Sequence, residues 1–520
     1  MSALGLPAVL VAVLLPLLTA VALAVADRFP TPPAPGLSRW VGGGAAVLTG
    51  LATAATVWAR PEVDLPWIPA LGVRLHLAVD GVSAPLLLLT ALVAVVVGLL
   101  PWHPPEHDPP VDRTAPLPPD PLEAARGRAT YHACLLLVLA GAVLTFLTRD
   151  AVVFFVAFEL VLVPMWVLVA RHGDATRRAA REGAALRFVL VTATGSTLML
   201  VGILGVATRT GTTDLDRWEQ LGGAGTASGQ VLLAALLLLG LAVKVPVWPL
   251  HTWLPWVHAT APTAGSVLLA AVLLKMGVYG MVRLVLAPLP QGFATLAPLL
   301  AGLAVTGIVW AGLACLVERD LKRLIAWSSV AHLGFVVLAL AAGTETGLQA
   351  ALFGNVAHGV VSALLFVVVG ELKRQWGGAS LDTARAALRE VTPRLGFALV
   401  LGMAAAMGLP GLAPFWGEIG ALYASWAPGE ARPTGWFRVF MVVAAIGAAL
   451  GAAYAARVLR EVWAGDRTTP LIADLRGPTL VATVLLGAAV LGLGVYPALL
   501  LDLSAGSVAS LLAAGSGGGP

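Results

Sequence analysis

Charge is what this chain has least of. Asp, Glu, Lys and Arg make up only 12% of its 520 residues, roughly half the share carried by soluble domains. A chain so poor in charge cannot coat a water-facing surface. With 58% hydrophobic residues and a mean hydropathy of +0.89 it reads as a membrane protein. Cysteine is nearly absent. Cys134 and Cys315 each stand alone in an apolar run, and no Cys-x-x-Cys or Cys/His spacing for zinc, iron–sulfur or haem occurs. The expectation is therefore that the chain itself holds no redox cofactor and no metal. Phosphate-binding loops, dinucleotide-type glycine patterns and His-Glu-x-x-His are also missing. The roughly ten-residue alternation of a membrane β-barrel is missing too. A net charge of +4 and a pI near 9.3 come without basic clusters interleaved with aromatics, which argues against nucleic acid as a partner.

What fills the chain is a series of apolar runs, each about as long as the roughly 20 residues a helix needs to cross a bilayer. Fourteen spans are expected, near 3–26, 40–59, 82–102, 130–148, 151–170, 184–207, 230–250, 261–287, 294–316, 321–341, 348–372, 394–426, 435–458 and 478–502. The first lacks a preceding basic region and reads as a retained helix rather than a cleaved signal. The Pro-rich stretch 103–129 reads as an extended connector, and 503–520 as a flexible tail. Most Lys and Arg fall in alternate loops, which places both termini outside by the positive-inside rule.

Spans 7 and 12 are interrupted in the same style. One contains Lys244-Val-Pro-Val-Trp-Pro249, the other Gly408-Leu-Pro-Gly-Leu-Ala-Pro414. Proline removes a helical hydrogen bond, and each break lies beside an ionisable residue, Lys244 or Glu418. The breaks are an odd number of spans apart, so the helices run in opposite directions. This divides the chain into helices 1–3 with the Pro-rich loop (1–129), two inverted five-helix repeats (130–287 and 294–458), a last helix (478–502) and the tail. Broken helices at matching places in inverted halves point to an ion site near the midplane.

The chain has four lysines, and two of them, Lys244 and Lys275, lie well inside spans. A charge at the bilayer centre costs at least about 2.5–3.5 kcal/mol, so such residues face a polar interior and carry function. Glu159 sits mid-span in an apolar run without a neighbouring cation. Lys244 is its best partner, and a Lys–Glu pair in low dielectric can store a proton whose affinity follows the carboxylate's position. The competing reading is a static ion pair. His332 and His358 lie in successive spans and could bridge a proton path, because imidazole titrates near neutrality. A lone buried histidine is more often merely hydrogen-bonded. His251 and His258 flank the end of span 7 and suit helix-end or gating roles.

These residues occur in recognisable surroundings. Ala242-Val-Lys-Val-Pro-Val-Trp-Pro-Leu-His-Thr-Trp-Leu-Pro255, Ala261-Pro-Thr-Ala-Gly-Ser266, Leu273-Leu-Lys-Met-Gly277, Asp320-Leu-Lys-Arg-Leu-Ile-Ala-Trp-Ser-Ser329 and Gly408-Leu-Pro-Gly411 with Gly417-Glu418 resemble the antiporter-like proton-pumping subunits of respiratory complex I, most closely the subunit M type. The resemblance runs from about residue 70 to about 500. It implies an all-α fold of fourteen helices with two inverted five-helix repeats and broken helices 7 and 12. It also implies a proton path through Glu159, Lys244, Lys275, His332, His358 and Glu418. A glutamate at the last position is the subunit M pattern; subunit L and the Mrp antiporter subunits usually have lysine there. The residues after span 14 also leave no room for subunit L's long lateral helix.

By the same resemblance the chain would be a membrane-arm subunit of a proton-translocating NADH:quinone oxidoreductase in a bacterial inner membrane. Subunit L- and N-like neighbours and lipid would surround it. NADH, FMN, iron–sulfur clusters and quinone would act elsewhere in the complex. An Mrp-type cation/proton antiporter subunit and an inert scaffold remain as alternatives. The sequence departs from the family at Trp256-Val-His258-Ala-Thr260, where the family's Asp and Glu are both missing, and at Trp327, usually Tyr.

Overall fold

In the computed structural model the described residues are 5–28, 35–102, 121–173, 178–221, 227–381, 387–465 and 472–516. The chain opens with α1 (Gly5–Ala26) and α2 (Pro35–Ala59). A short antiparallel hairpin follows, β1 (Val63–Ile68) and β2 (Val73–Leu77), and then α3 (Ser83–Leu99). The first group of spans comprises α4 (Pro121–Leu147), α5 (Ala151–Leu160), α6 (Leu162–His172), α7 (Arg178–Thr210), the short α8 (Leu215–Leu221), α9 (Ala227–Lys244) and α10 (Leu254–Thr260). It ends with α11 (Thr263–Leu268) and α12 (Leu274–Gly280), each running into a π-helical turn, Leu269–Leu273 and Met281–Leu286. The second group comprises α13 (Pro290–Val317), α14 (Leu321–Ala341), α15 (Glu345–Trp376), the single turn α16 (Leu388–Val391), α17 (Pro393–Ala406), α18 (Ala413–Trp426) and α19 (Thr434–Val458). The chain closes with α20 (Gly477–Val495) and α21 (Ala498–Ser516).

Among the described residues, 11 helices are long and apolar enough to cross a membrane, and Ser83–Leu99, Ser228–Lys244, Pro393–Ala406 and Ala498–Ala513 are shorter apolar helices. The outer helices α1, α2, α7, α19 and α20 leave Leu, Val and Trp side chains exposed, as a lipid-facing surface requires. The segments Thr263–Leu286 and Glu345–Trp376 are instead 100% buried over their apolar windows. They form the centre of the molecule.

Two expectations are corrected and one element is added. Residues 121–129, read as part of an extended connector, are already helical in α4; 103–120 lie outside the described residues. The segment 503–516, read as flexible tail, is helical within α21. Span 14 stops where Pro497 interrupts it, and the following run of Leu, Ala and Ser forms a second helix that packs against α15 and α3. It is anchored where Gly81 N donates to Ser507 Oγ (3.0 Å). Finally, the stretch between spans 2 and 3 forms a hairpin, because Val63, Leu65, Val73, Leu75 and Leu77 alternate with polar residues, the period of a half-buried strand.

The hairpin docks on a motif that is built twice. Asp150 caps α5, accepting from Val152 N (2.8 Å) and Val153 N (3.1 Å). Its neighbours bridge to the α7–α8 connection, Ala151 N to Thr213 O and Leu215 N to Arg149 O, both 2.8 Å. Asp320 caps α14 in the same way, accepting from Arg323 N (2.8 Å). Leu321 N donates to Ala379 O (2.8 Å) and Leu381 N to Arg319 O (2.6 Å). An Arg-Asp pair starts both helices. Asp150 additionally accepts from Arg74 N (3.1 Å) and Thr213 Oγ1 (2.6 Å). Asp150→Ala should therefore cost about 1–2 kcal/mol of stability, read as a lower melting temperature of the detergent-solubilised protein, while Asp150→Asn retains most of it.

Beside this cap, Asp80 receives Arg149 Nη2 (2.9 Å) and Arg283 Nη2, and Arg283 Nη1 reaches Glu219 Oε1 (3.1 Å). Arg283 is 1% exposed. Burial alone would raise the Asp80 pKa, but the two guanidiniums hold it well below the usual carboxylate range. Burial raises Glu219, with Arg283 opposing.

Candidate functional site

Every interrupted helix in the interior carries an ionisable side chain at its interruption. In span 5 the break comes at Val161, between α5 and α6. Pro164 has no N–H for the Leu160 carbonyl, so the helix opens one turn before it, next to Glu159. In span 7, Pro246 stops α9 at Lys244. The Ala242 carbonyl that this frees accepts from Val247 N (2.9 Å), and the Val243 carbonyl left over is taken by the indole N–H of Trp253 (3.0 Å), which meets the demand that buried backbone groups be paired. In span 8 the π turn Leu269–Leu273 precedes Lys275, and Ala270 O accepts from Lys275 Nζ (2.6 Å). Such turns occur mostly at functional positions. In span 12, Gly408 adopts φ 68° and Gly411 φ 87°. A side chain at Gly408 would also stand 2.5 Å from Glu418 Oε2, so glycine leaves the carboxylate room against the break.

Four of the six residues read from the sequence come together. Lys275 Nζ lies 2.6 Å from His358 Nδ1. The ring of His358 faces that of His332 at 5.9 Å between centroids. His332 Nδ1 lies 2.9 Å from Glu418 Oε1. Lys275 is fully buried and His358 is 5% exposed. A small cavity lies between the two histidines and Glu418, closed by Phe335, Val336, Gly354, Pro414 and Gly417.

Lys244 and Glu159 form a second group. Lys244 is 3% exposed and its Nζ sits 4.7 Å from the centre of the Phe158 ring. Glu159 is the carboxylate whose field reaches it, but no ion pair within 4 Å joins the two among the described residues. A cation held over an aromatic face, with its carboxylate at a distance, is less committed than one in a closed salt bridge. Gly277 lets α12 approach α9 closely: a Cβ there would lie 3.2 Å from the Lys244 Cβ. The Lys244 ammonium nevertheless points to Phe158 and not to Lys275.

The structure adds residues outside the six read as a proton path. His258, read as suited to a helix-end or gating role, lies in the last turn of α10, fully buried and stacked on Phe366 at 4.4 Å. Neither of its ring nitrogens has a hydrogen-bond partner in the structure, and the same holds for His251 and for both side-chain atoms of Asn355. Buried polar atoms are rarely left in this state without a reason. Asn355 stands one helical turn before His358 on α15, and that i, i+3 spacing is the signal that could have found it. Lys322, at the edge of the span expected at 321–341, is fully buried and donates to Ala261 O. Lys373 Nζ donates to Ala259 O (3.1 Å). Both lysines therefore grip the segment that follows the break in span 7. In that segment the Trp256 ring has the Arg187 and Arg323 guanidiniums 4.9 and 4.8 Å from its centre. An indole face thus meets two cations at a position where a carboxylate was expected.

Residues 148–448 match the family described as NADH:quinone oxidoreductase/Mrp antiporter, transmembrane. The chain belongs to this family. It is 33% identical over 526 residues to the NADH-quinone oxidoreductase subunit M of Rhodobacter capsulatus, covering 96% of this chain and 95% of that one. A chain of respiratory complex I from Thermus thermophilus superposes with a TM-score of 0.83 at 25% identity, covering 98% of this chain and all of that one. A chain of the Mrp complex from Dietzia superposes with a TM-score of 0.77 at 25% identity, and the match spans 52% of that longer chain. The family membership accords with the resemblance drawn from the motifs around Lys244, Lys275 and Glu418.

Proposed function

We propose that this chain is a proton-translocating membrane-arm subunit of an NADH-quinone oxidoreductase, of the subunit M type. Its near full-length similarity to subunit M of Rhodobacter capsulatus supports the assignment. The observation that carries the mechanism is the run Lys275, His358, His332, Glu418, buried at its lysine end and partly buried at its glutamate end, with contacts of 2.6 and 2.9 Å at its two ends. Such a run can pass protons but holds no group that exchanges electrons. NADH, FMN, iron–sulfur clusters and quinone would work in other subunits, and the two buried cysteines, Cys134 and Cys315, would stay thiols.

Protons would enter at Lys244, whose hold on its proton weakens when Glu159 is drawn away. They would move to Lys275, then through His358 and His332, and leave by Glu418. The unpartnered side-chain atoms of His251, His258 and Asn355 are groups that internal water would satisfy. The twin motifs at Asp150 and Asp320 support the division into two inverted five-helix repeats. The arginine bias supports both termini outside, in the inner membrane of a bacterium. Subunit L- and N-like chains would flank it, with lipid on the remaining faces.

The test is Lys244→Ala in the assembled complex, reconstituted in vesicles. The complex should keep its subunits and lose NADH-driven proton uptake; normal pumping stoichiometry would sink the proposal. The similarity to the Dietzia Mrp chain supports a second reading, a cation/proton antiporter subunit. Sodium-dependent proton exchange in vesicles without NADH would establish that one, and Glu418 in place of lysine counts against it.

A further inference from the structure

Away from the buried axis, at the capped end of α5, the hairpin and the α7–α8 connection bring three potential metal ligands together. A ring nitrogen of His76 on β2 and one carboxylate oxygen each from Asp214 and Asp216 lie within 4.8 Å of one another. No local spacing in the sequence reveals this group, because its members come from segments nearly 140 residues apart.

The histidine shows what the carboxylates alone would not. His76 is 8% exposed. Its Nε2 lies 3.1 Å from Glu62 Oε1, so Nε2 carries the proton and donates. The other nitrogen, Nδ1, is then the lone-pair nitrogen. It is buried, has no hydrogen-bond partner and faces Asp214 Oδ2 at 3.8 Å, too far for a hydrogen bond and suitable for two ligands of one ion. Carboxylate, histidine and metal in that order is the usual way a protein fixes the tautomer and aim of a ligating imidazole.

The backbone around the group is already tied. Arg149 N donates to His76 O (2.8 Å), Asp214 bridges to Asp150, and Asp214 Oδ1 accepts from Arg217 N (3.0 Å). Arg149 Nη1 lies 3.3 Å from Asp216 Oδ1, leaving that carboxylate a second oxygen.

We infer that His76, Asp214 and Asp216 bind one divalent first-row transition metal, with Glu62 positioning the imidazole. One nitrogen and two carboxylate oxygens, completed by solvent, suit zinc in tetrahedral geometry. The bound ion clamps the hairpin β1–β2 onto the connection between α7 and α8.

Zinc is the probe. The full chain in lipid nanodiscs is stripped with chelator, equilibrated with Zn²⁺, desalted, and its metal content measured. The wild type should retain one zinc per chain. His76→Ala and Asp214→Asn should each abolish retention. Glu62→Gln should keep the stoichiometry and weaken affinity roughly 10–100-fold, an effect that loose counter-ion binding by exposed carboxylates would not show. If His76→Ala fails to fold, His76→Gln takes its place. Substituted Co²⁺ should give the visible absorption of a four-coordinate site in the wild type and not in the His76 or Asp214 variants. Zinc retained equally by wild type and His76 variants, or by neither, would overturn the inference.

Discussion

Lys275→Met should abolish proton translocation by this subunit while leaving the complex assembled. The ammonium is fully buried and has two short contacts, to Ala270 O and to His358 Nδ1. Methionine fills nearly the same volume, and among the described residues no carboxylate pairs with Lys275 to be left as a stranded buried charge. The function, however, requires a group that gives up and regains a proton. Removing such a group typically slows proton transfer about 10²–10⁴-fold. Lys275→Arg separates two explanations. Arginine keeps the positive charge but does not release its proton, so a carrier role fails in both variants, whereas a purely electrostatic role survives in the arginine form. The measurement is NADH-driven acidification of sealed vesicles beside quinone reduction in the same preparation. Pumping at the normal proton-to-electron ratio in Lys275→Met would remove Lys275 from the path.

Asp80→Asn should produce the largest loss of stability among single substitutions at the capped end. Asp80 is the shared partner of Arg149 and Arg283. Without its charge Arg283, 1% exposed, keeps only Glu219. Breaking a buried ion pair by removing one partner costs about 3–5 kcal/mol. The loss should appear as a lower melting temperature and as poor incorporation into the complex. The pH dependence has a definite sign. The Asp80 pKa is depressed in the folded protein, so its contribution is present above the unfolded carboxylate value, near 4, and disappears only as pH falls through the lower folded value. Stability owed to this residue should thus be flat from pH 5 to pH 8. A melting temperature that falls between pH 8 and pH 5 in the wild type but not in Asp80→Asn would contradict this account.

How much of this was legible in the sequence depends on contrast. Lys244, Lys275 and Glu159 stand out because each is a lone charge in a long apolar run. The proline breaks beside Lys244 and Glu418 could likewise be read directly, whereas the break before Pro164 beside Glu159 was not. Lys322 does not stand out, for the opposite reason. It sits among the charges of Glu318-Arg-Asp-Leu-Lys-Arg323 at the edge of an expected span, yet Asp320 caps α14 two residues earlier and the lysine is fully buried. Asn355 has no charge to mark it, and only its spacing from His358 hints at a shared face. The contact between Lys275 and His358 joins residues 83 apart. It depends on α15 lying against the π turn of Leu269–Leu273, a packing that no local pattern encodes. The helix beyond Pro497 was obscured by Gly and Ser, which suit flexible tails and close helix packing equally.

The spacing of the two histidine rings has a further consequence. Lys275 to His358 and His332 to Glu418 are direct contacts, but the imidazoles between them stand 5.9 Å apart at a 35° tilt and do not join the two halves. A continuous wire would short-circuit the membrane, discharging the gradient whenever the enzyme stood idle. On the proton path proposed above, a run open at its middle would need a ring rotation or a transient water to close it. The resting protein would then be an insulator that conducts only while it is being driven.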